Sequence, residues 1–330
     1  MSPVLDIAAM DAKTNETMRE ATDPYVVVDP TPESLTADVV NPDELPAVSV
    51  CIPTYNSEET IERCLQSITK QEYSDVEIVV IDGGSNDQTT AIAQRFADEV
   101  VIDTGPLGSA RQTGLERSSG ELVALFDSDI YLPASGWLRR AVKYFNYDEQ
   151  VSTVWPVLVP PPSSSPISKA YARHFNLILE DRIRNEVGLL GLGNALFRRD
   201  VFEEVGGIDR SVHWGEDIDW ARKFRDSGYQ VVYLDDPIYH DTMKTLSEFA
   251  RAQREGAKSF ATGEGFMDFP MTRLLYEQFG LGAKGFVRGM ARGDTGWAAL
   301  PALLSVRALV YGFYFGRNQL QRPVNQFSGG

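Results

Sequence analysis

Two cysteines in 330 residues leave no material for a disulfide framework or a thiolate zinc cluster. Cys51 falls in an apolar run that reads as a core strand, and Cys64 on the apolar face of the following helix, so both are expected as small buried hydrophobes. Basic residues are also short. The chain has 31 Lys and Arg, only eight of them Lys, against 47 Asp and Glu, for a formal net charge of −16. This balance excludes a broad phosphate-neutralising surface, so no nucleic-acid partner is expected. Lysine-poor acidity resembles proteins of high-salt cytoplasm, where carboxylates keep the surface hydrated, and it fits an ordinary acidic soluble protein nearly as well. The first twenty residues carry acids and no continuous apolar stretch. A secretory signal is therefore not expected, and chemistry inside the cell is. No GxGxxG follows the early strands, which argues against a dinucleotide-binding domain.

What is present begins with a change of pattern. Residues 1–46 are rich in Asp, Glu, Thr and Pro without a sustained period and read as a disordered acidic arm. From Ala47 short apolar runs alternate with helical stretches: VSVCIP, VEIVVID, EVVIDT and ELVALFD each precede a helix-like segment. Four such alternations predict an α/β fold with a mostly parallel, Rossmann-like sheet flanked by helices. A strand (TVWPVLV), a helix over 168–186, the glycine-rich GLLGLGNALFRRD and a late strand (YQVVYLDD) follow. The chain divides on this reading into the arm, a domain over 47–245 and a C-terminal helical segment over 246–330.

Ligands of such sheets bind beyond the carboxyl ends of the strands, and the polar motifs sit there. Asp82, in VVIDGGSND, ends a strand where it can meet a nucleobase or ribose, or can cap the next helix together with Asp87. Arg111, in GPLGSARQTG, suits a phosphate or a loop carboxylate. Asp127 and Asp129, in ALFDSDIYLP, are two carboxylates one residue apart after the fourth strand. They repel each other unless hydrogen bonds, water or a cation intervene, and the cation reading is Mg²⁺ or Mn²⁺ shared with substrate phosphate. Glu216, Asp217 and Asp219, in HWGEDIDW, open a helix, and one of them is a candidate general base. His240 follows the late strand, where it is either a further metal ligand or structural.

Taken in order, VSVCIPTYNSEETIERCLQSITKQ, VEIVVIDGGSNDQT, GSARQTGLERSSGELVALFDSD and GGIDRSVHWGEDIDWARKFRDSGY resemble the family 2 glycosyltransferases of the GT-A fold. The resemblance covers residues 47 to about 245, and the joint order of the motifs is what makes it specific. It implies an inverting glycosyltransferase with a nucleotide-sugar donor and a divalent cation. It further implies Pro53, Tyr55 and Glu58 in the first donor-binding loop, Asp82 on the nucleobase and Arg111 in the donor site. Asp127 and Asp129 match the metal motif, with Asp129 the more direct ligand; Asp217 matches the catalytic base and His240 a histidine near the metal. The Q-x-x-R-W motif of processive synthases is absent, so transfer of one sugar is expected. The composition resembles that of a haloarchaeal member. Two rivals are a sugar nucleotidyltransferase, which the acidic IPTYNSEE disfavours, and a non-catalytic nucleotide-sugar-binding subunit, which the intact acidic motifs disfavour.

By analogy the acceptor is a glycan, including a polyprenyl-phosphate-linked one of surface glycan or protein N-glycosylation. Residues 295–317, TGWAALPALLSVRALVYGFYFGR, are expected to attach the chain to the cytoplasmic face of the cell membrane. Pro301 and Arg307 interrupt the run, so an interfacial helix is expected, with Arg307 snorkelling to headgroups and Leu303, Leu304, Val310 and Phe313 facing acyl chains.

Overall fold

The alternation of strand and helix is realised from Val48 onward in the computed structural model, which describes residues 25–28, 45–147, 149–184, 192–212, 220, 223–224, 227–262 and 271–321. In chain order the described elements begin β1 (Tyr25–Val28), β2 (Val48–Thr54), α1 (Ile61–Thr69), β3 (Val76–Asp82), α2 (Thr89–Ala93), β4 (Glu99–Ile102), α3 (Leu107–Arg117), β5 (Leu122–Leu125) and β6 (Ile130–Tyr131). They continue α4 (Trp137–Tyr147), β7 (Val151–Val159), α5 (Pro166–Arg184), β8 (Ala195–Arg198), α6 (Arg199–Val205), β9 (Gln230–His240), α7 (Leu246–Thr262), α8 (Met271–Leu275), α9 (Gly282–Ala291) and α10 (Leu300–Gln321).

The strands form one mixed sheet in the order β1-β9-β7-β8-β5-β2-β3-β4, with β6 paired to β9 off that path. β5, β2, β3 and β4 run parallel, while β8 is antiparallel to both β5 and β7. Central parallel strands are covered on both faces, which is why β2 and β3 read as nearly unbroken apolar runs: Val50, Cys51, Ile52 and Ile78 to Ile81 are buried. In α1, Ile61, Cys64, Leu65 and Ile68 recur at i, i+3, i+4 and i+7 and bury one face. Burying Ile61, Leu65 and Ile68 contributes about 1.5–3 kcal/mol each. α3 approaches the sheet through Gly114, where a Cβ would lie 2.8 Å from Ile81 Cδ1 and 2.9 Å from Cys51 Cβ. Cys51 and Cys64 are both free and buried, as their positions predict.

One strand departs from expectation. Tyr25–Val28 lies within the stretch read as an arm, yet it pairs in parallel with Val231–Leu234 of β9. Its YVVV run has strong β-propensity but is too short to stand out among acidic neighbours. The rest of residues 1–44 lies outside the described residues.

The chain divides into two units: Met1–Pro161 with Leu179–Asp241, which holds the sheet, and Pro162–Ile178 with Thr242–Gly330. The second unit takes 162–178 as well as the residues after Asp241. The reason is side-chain burial: Ala170 joins Phe249, Trp297, Leu300 and Leu303 in that unit's own core, with Tyr171 and Leu177 beside it.

Arg307 corrects a second expectation. It does not reach outward; it is 5 % exposed. Its Nε donates to Gln253 Oε1 at 2.6 Å, its Nη1 meets His174 Nδ1 at 3.3 Å, and its guanidinium lies 5.3 Å from the Phe249 ring centre. Leu300, Leu303 and Arg307 share one face of α10, and that face is turned into the unit. Leu303 is therefore buried rather than lipid-facing, whereas Phe313 is exposed, together with Leu309.

Candidate functional site

The loops that follow β2, β3, β4 and β5 meet at one edge of the sheet because these strands are parallel and in register, with Thr54 opposite Asp82 and Cys51 opposite Leu125. The first two loops are fastened to each other. Asn56, in the left-handed region at φ 48°, donates its N–H to Ser85 Oγ and accepts from Asn86 N at 3.0 Å. Glu58 accepts from Gln88 N at 3.0 Å, and its own N–H donates to Asp87. Glu58 thus serves the loop itself. Pro53 is part of β2, while Tyr55 is 61 % exposed, its side chain next to Gly83.

Asp82 is buried and held by its own loop: Ser85 N–H, Ser85 Oγ and Thr90 Oγ1 donate to its two oxygens. Asp103, just past β4, takes the same role one strand further. Burial opposes its ionised form, but donors from Thr113, Gly105 and Ser109 and the Arg210 charge outweigh that and hold its carboxyl below the usual range.

Asp127 and Asp129 leave the end of β5, and the chain then turns into β6. Ile130 pairs with His240 and Tyr131 with Tyr239, so this short antiparallel bridge brings the last residue of β9 back to the acids. One carboxylate oxygen from each of Asp127 and Asp129 and a nitrogen of His240 lie within 4.8 Å of one another. His240 Nε2 is 3.2 Å from Asp129 Oδ1. Burial would lower the imidazole pKa, but the charge and hydrogen bond of Asp129, with Asp127 and Asp241 nearby, raise it above its ordinary value. A group of this kind attracts a positive charge, and a divalent ion supplies more of it than a proton does.

Asp127 is gripped by two residues through three hydrogen bonds. Arg111, 5 % exposed, donates from Nη2 to Asp127 Oδ1 at 3.2 Å. Asn194 accepts from Asp127 N at 2.9 Å and donates from Nδ2 to Asp127 Oδ2 at 2.8 Å. The sequence places Asn194 only in a glycine-rich stretch, where the GN dipeptide is the available signal; in the structure Asn194 takes a left-handed φ of 66°. Gly193 leaves room beside it for the guanidinium: a Cβ there would sit 2.9 Å from Arg111 Nη2 and push that group aside. Sequence reasoning also passed over Arg63, which pairs with Asp241 and lies 4.2 Å over the Tyr131 ring, itself 4.9 Å from Tyr239. Asp217, with His213, Glu216 and Asp219, lies outside the described residues.

The site therefore gathers Asp127, Asp129, His240 and Arg111, and sets Tyr55, Asp82 and Glu58 on the two adjoining loops. Comparisons with known proteins agree in kind. The model of "Glycosyl transferase family 2" matches residues 49–206. Glycosyltransferase AglE of Haloferax volcanii is 31% identical over 230 residues, 67% of this chain and 73% of that protein. O-antigen chain rhamnosyltransferase RfbN of Salmonella typhimurium is 25% identical over 205 residues, 58% of this chain and 65% of that one. In fold, the mannosyltransferase PcManGT of Pyrobaculum calidifontis, solved with GDP-Man and Mn²⁺, aligns over 88% of each chain with a TM-score of 0.52 at 23% identity.

Proposed function

This chain belongs to glycosyl transferase family 2 and has the GT-A fold, and on that premise we propose that it moves one sugar, with inversion, from a nucleoside-diphosphate sugar to a hydroxyl or phosphate acceptor. The observation that carries the reading is the Asp127, Asp129 and His240 group at the carboxyl edge of the parallel strands. Two carboxylates with one imidazole fit Mg²⁺ or Mn²⁺, and the nitrogen donor favours Mn²⁺. A bound ion there would neutralise charge gathering on the departing diphosphate.

The chain's own residues divide the remaining work. Arg111 and Asn194 fix the Asp127 carboxylate in orientation, and His240 holds Asp129. The exposed Tyr55 ring offers a stacking face for the nucleobase, and the loop braced by Asp82 and Glu58 gives that face a rigid floor. Asp217, assigned by motif alone, takes the acceptor proton as the hydroxyl attacks the anomeric carbon.

For the acceptor we propose a surface or lipid-linked glycan, met at the cytoplasmic face of the membrane. Two things support this: a relative is named for O-antigen chains, and the stretch Thr295–Tyr314 is long and apolar enough to cross a membrane. The acidic, lysine-poor composition supports work in high salt.

A panel of nucleotide sugars incubated with the chain plus Mg²⁺ or Mn²⁺, with donor cleavage recorded, tests the reading. One donor should be consumed only with the cation, and Asp129→Ala should abolish cation-dependent donor binding while the thermal transition persists. Asp217→Asn should lower transfer by about 10²-fold or more with little change in donor affinity. Activity undiminished by EDTA would remove the cation from the reading. Donor affinity falling in step with rate in the Asp217 variant would make that residue a binding group instead.

A further inference from the structure

We infer that the second unit docks, through the outer faces of α9 and α10, in the plane of an anionic lipid surface. Arg307 is the single charge between Thr295 and Tyr314, and it is turned inward onto Gln253 and His174. Between Leu300 and Tyr314 the outer face of α10 is therefore left without a charged side chain: Pro301, Ser305, Ala308, Leu309 and Phe313 are exposed along it. Leu309 is 75 % and Phe313 62 % exposed. At 1.5 Å per residue this stripe runs for roughly 18 Å.

α9 presents the complementary chemistry. Its inner face is Gly282, Gly285 and Gly289, pressed close to the neighbouring side chains, while Val287 is 65 % and Met290 41 % exposed. Lys284, Arg288 and Arg292 are exposed beside them. The two acids of residues 271–314 are both held by arginine: Glu277 is fully buried against Arg273, and Asp294 accepts two bonds from Arg173. A chain of net charge −16 thus carries a 44-residue stretch whose exposed, uncommitted ions are all positive. An apolar stripe flanked by Lys and Arg is the signature of a helix lying in the headgroup region, and the local cations meet anionic lipid where the whole-chain charge would be repelled. Insertion as a spanning helix is disfavoured, because Leu300, Leu303 and Arg307 commit the other face of α10 to the unit's core.

This inference stands apart from the transfer reaction, and its test needs no substrate. The full chain is floated with vesicles of phosphatidylcholine alone and with vesicles containing one-third phosphatidylglycerol, alongside Lys284→Glu/Arg288→Glu and Leu309→Ser/Phe313→Ser variants. All four positions are exposed and outside the catalytic site, so the thermal transition should not move. The wild type should float about tenfold better with the anionic vesicles, less so as salt rises, and each double variant should lose at least about tenfold of that binding. The inference is overturned if the wild type stays at the bottom of the gradient with anionic vesicles, or if either double variant floats as the wild type does. It is also overturned if light scattering finds a dimer that the Leu309/Phe313 variant abolishes while no vesicle binding is seen, since a second copy then covers the face.

Discussion

Asn194 brackets Asp127 across 67 residues of sequence: its side-chain oxygen accepts the Asp127 backbone N–H at 2.9 Å, and its amide nitrogen donates to the Asp127 carboxylate at 2.8 Å. With its N–H and one carboxylate oxygen tied to the same side chain and its other oxygen to Arg111, Asp127 is fixed in orientation beside Asp129. Asn194 touches no reacting atom in this arrangement and acts as a positioning residue.

Asn194→Gly keeps the left-handed backbone and deletes the amide; Asn194→Asp keeps the shape and replaces the donor with a second charge beside Asp127. Both should weaken Mn²⁺ binding and lower kcat by about 10–100-fold, the range seen when residues that orient metal ligands are altered. The thermal transition should shift by much less than an unfolding mutation would cause. Titrating Mn²⁺ by electron paramagnetic resonance checks this. Wild-type affinity in both variants would show that Asp127 needs no such brace, whereas absence of binding in the wild type would instead remove the cation site.

Much of this edge is legible in the sequence. Strand-end acids in βα repeats have a fixed address, so Asp82, Asp127 and Asp129 announced themselves through VVID and VALFD. His240 needed more, because it reaches Asp129 only through the two-residue pairing of Ile130 with His240 and Tyr131 with Tyr239, a contact no local period encodes. It was found by motif. Asn194 is hidden for the same reason, within a glycine-rich stretch that names no partner. Arg307 was misjudged because a helical sequence does not say which of its faces has an acceptor waiting; Gln253, on a different helix, decides that.

His174 predicts acid sensitivity in the second unit. It is 2 % exposed, its Nε2–H donates to Glu277 O at 3.0 Å, and its Nδ1 must accept from Arg307. Burial first, and then the Arg307 charge, lower its pKa from 6.5 to about 4. A pKa lower in the folded state means that the unfolded chain binds the proton first. The stabilisation is therefore complete above about pH 6.5 and falls as pH drops toward 4, levelling below that. Denaturant midpoints followed by fluorescence between pH 7 and 4 should decline across this window, and His174→Phe should flatten that part of the profile. An equal decline in the variant would assign the acid sensitivity to other groups.

Arg307 and Gln253 should respond unequally to deletion, although they form one hydrogen bond. Gln253→Leu leaves the Arg307 Nε–H buried without its acceptor and should cost about 1–3 kcal/mol, the penalty for stranding a buried polar group. Arg307→Met removes the buried cation itself, fills a similar volume beside Phe249, and avoids the desolvation of a guanidinium that has a neutral amide and a neutral imidazole as its polar partners among the described residues. Replacing a buried ion by an apolar side chain of like size is often neutral or stabilising, so this variant should match or exceed the wild type. It should also raise the His174 pKa, because the positive charge that depresses it is gone. The double variant decides the matter. If Gln253→Leu costs nothing further once Arg307 is Met, the glutamine is there to satisfy the arginine; an equal cost in both backgrounds would mean that Gln253 stabilises α7 in some other way.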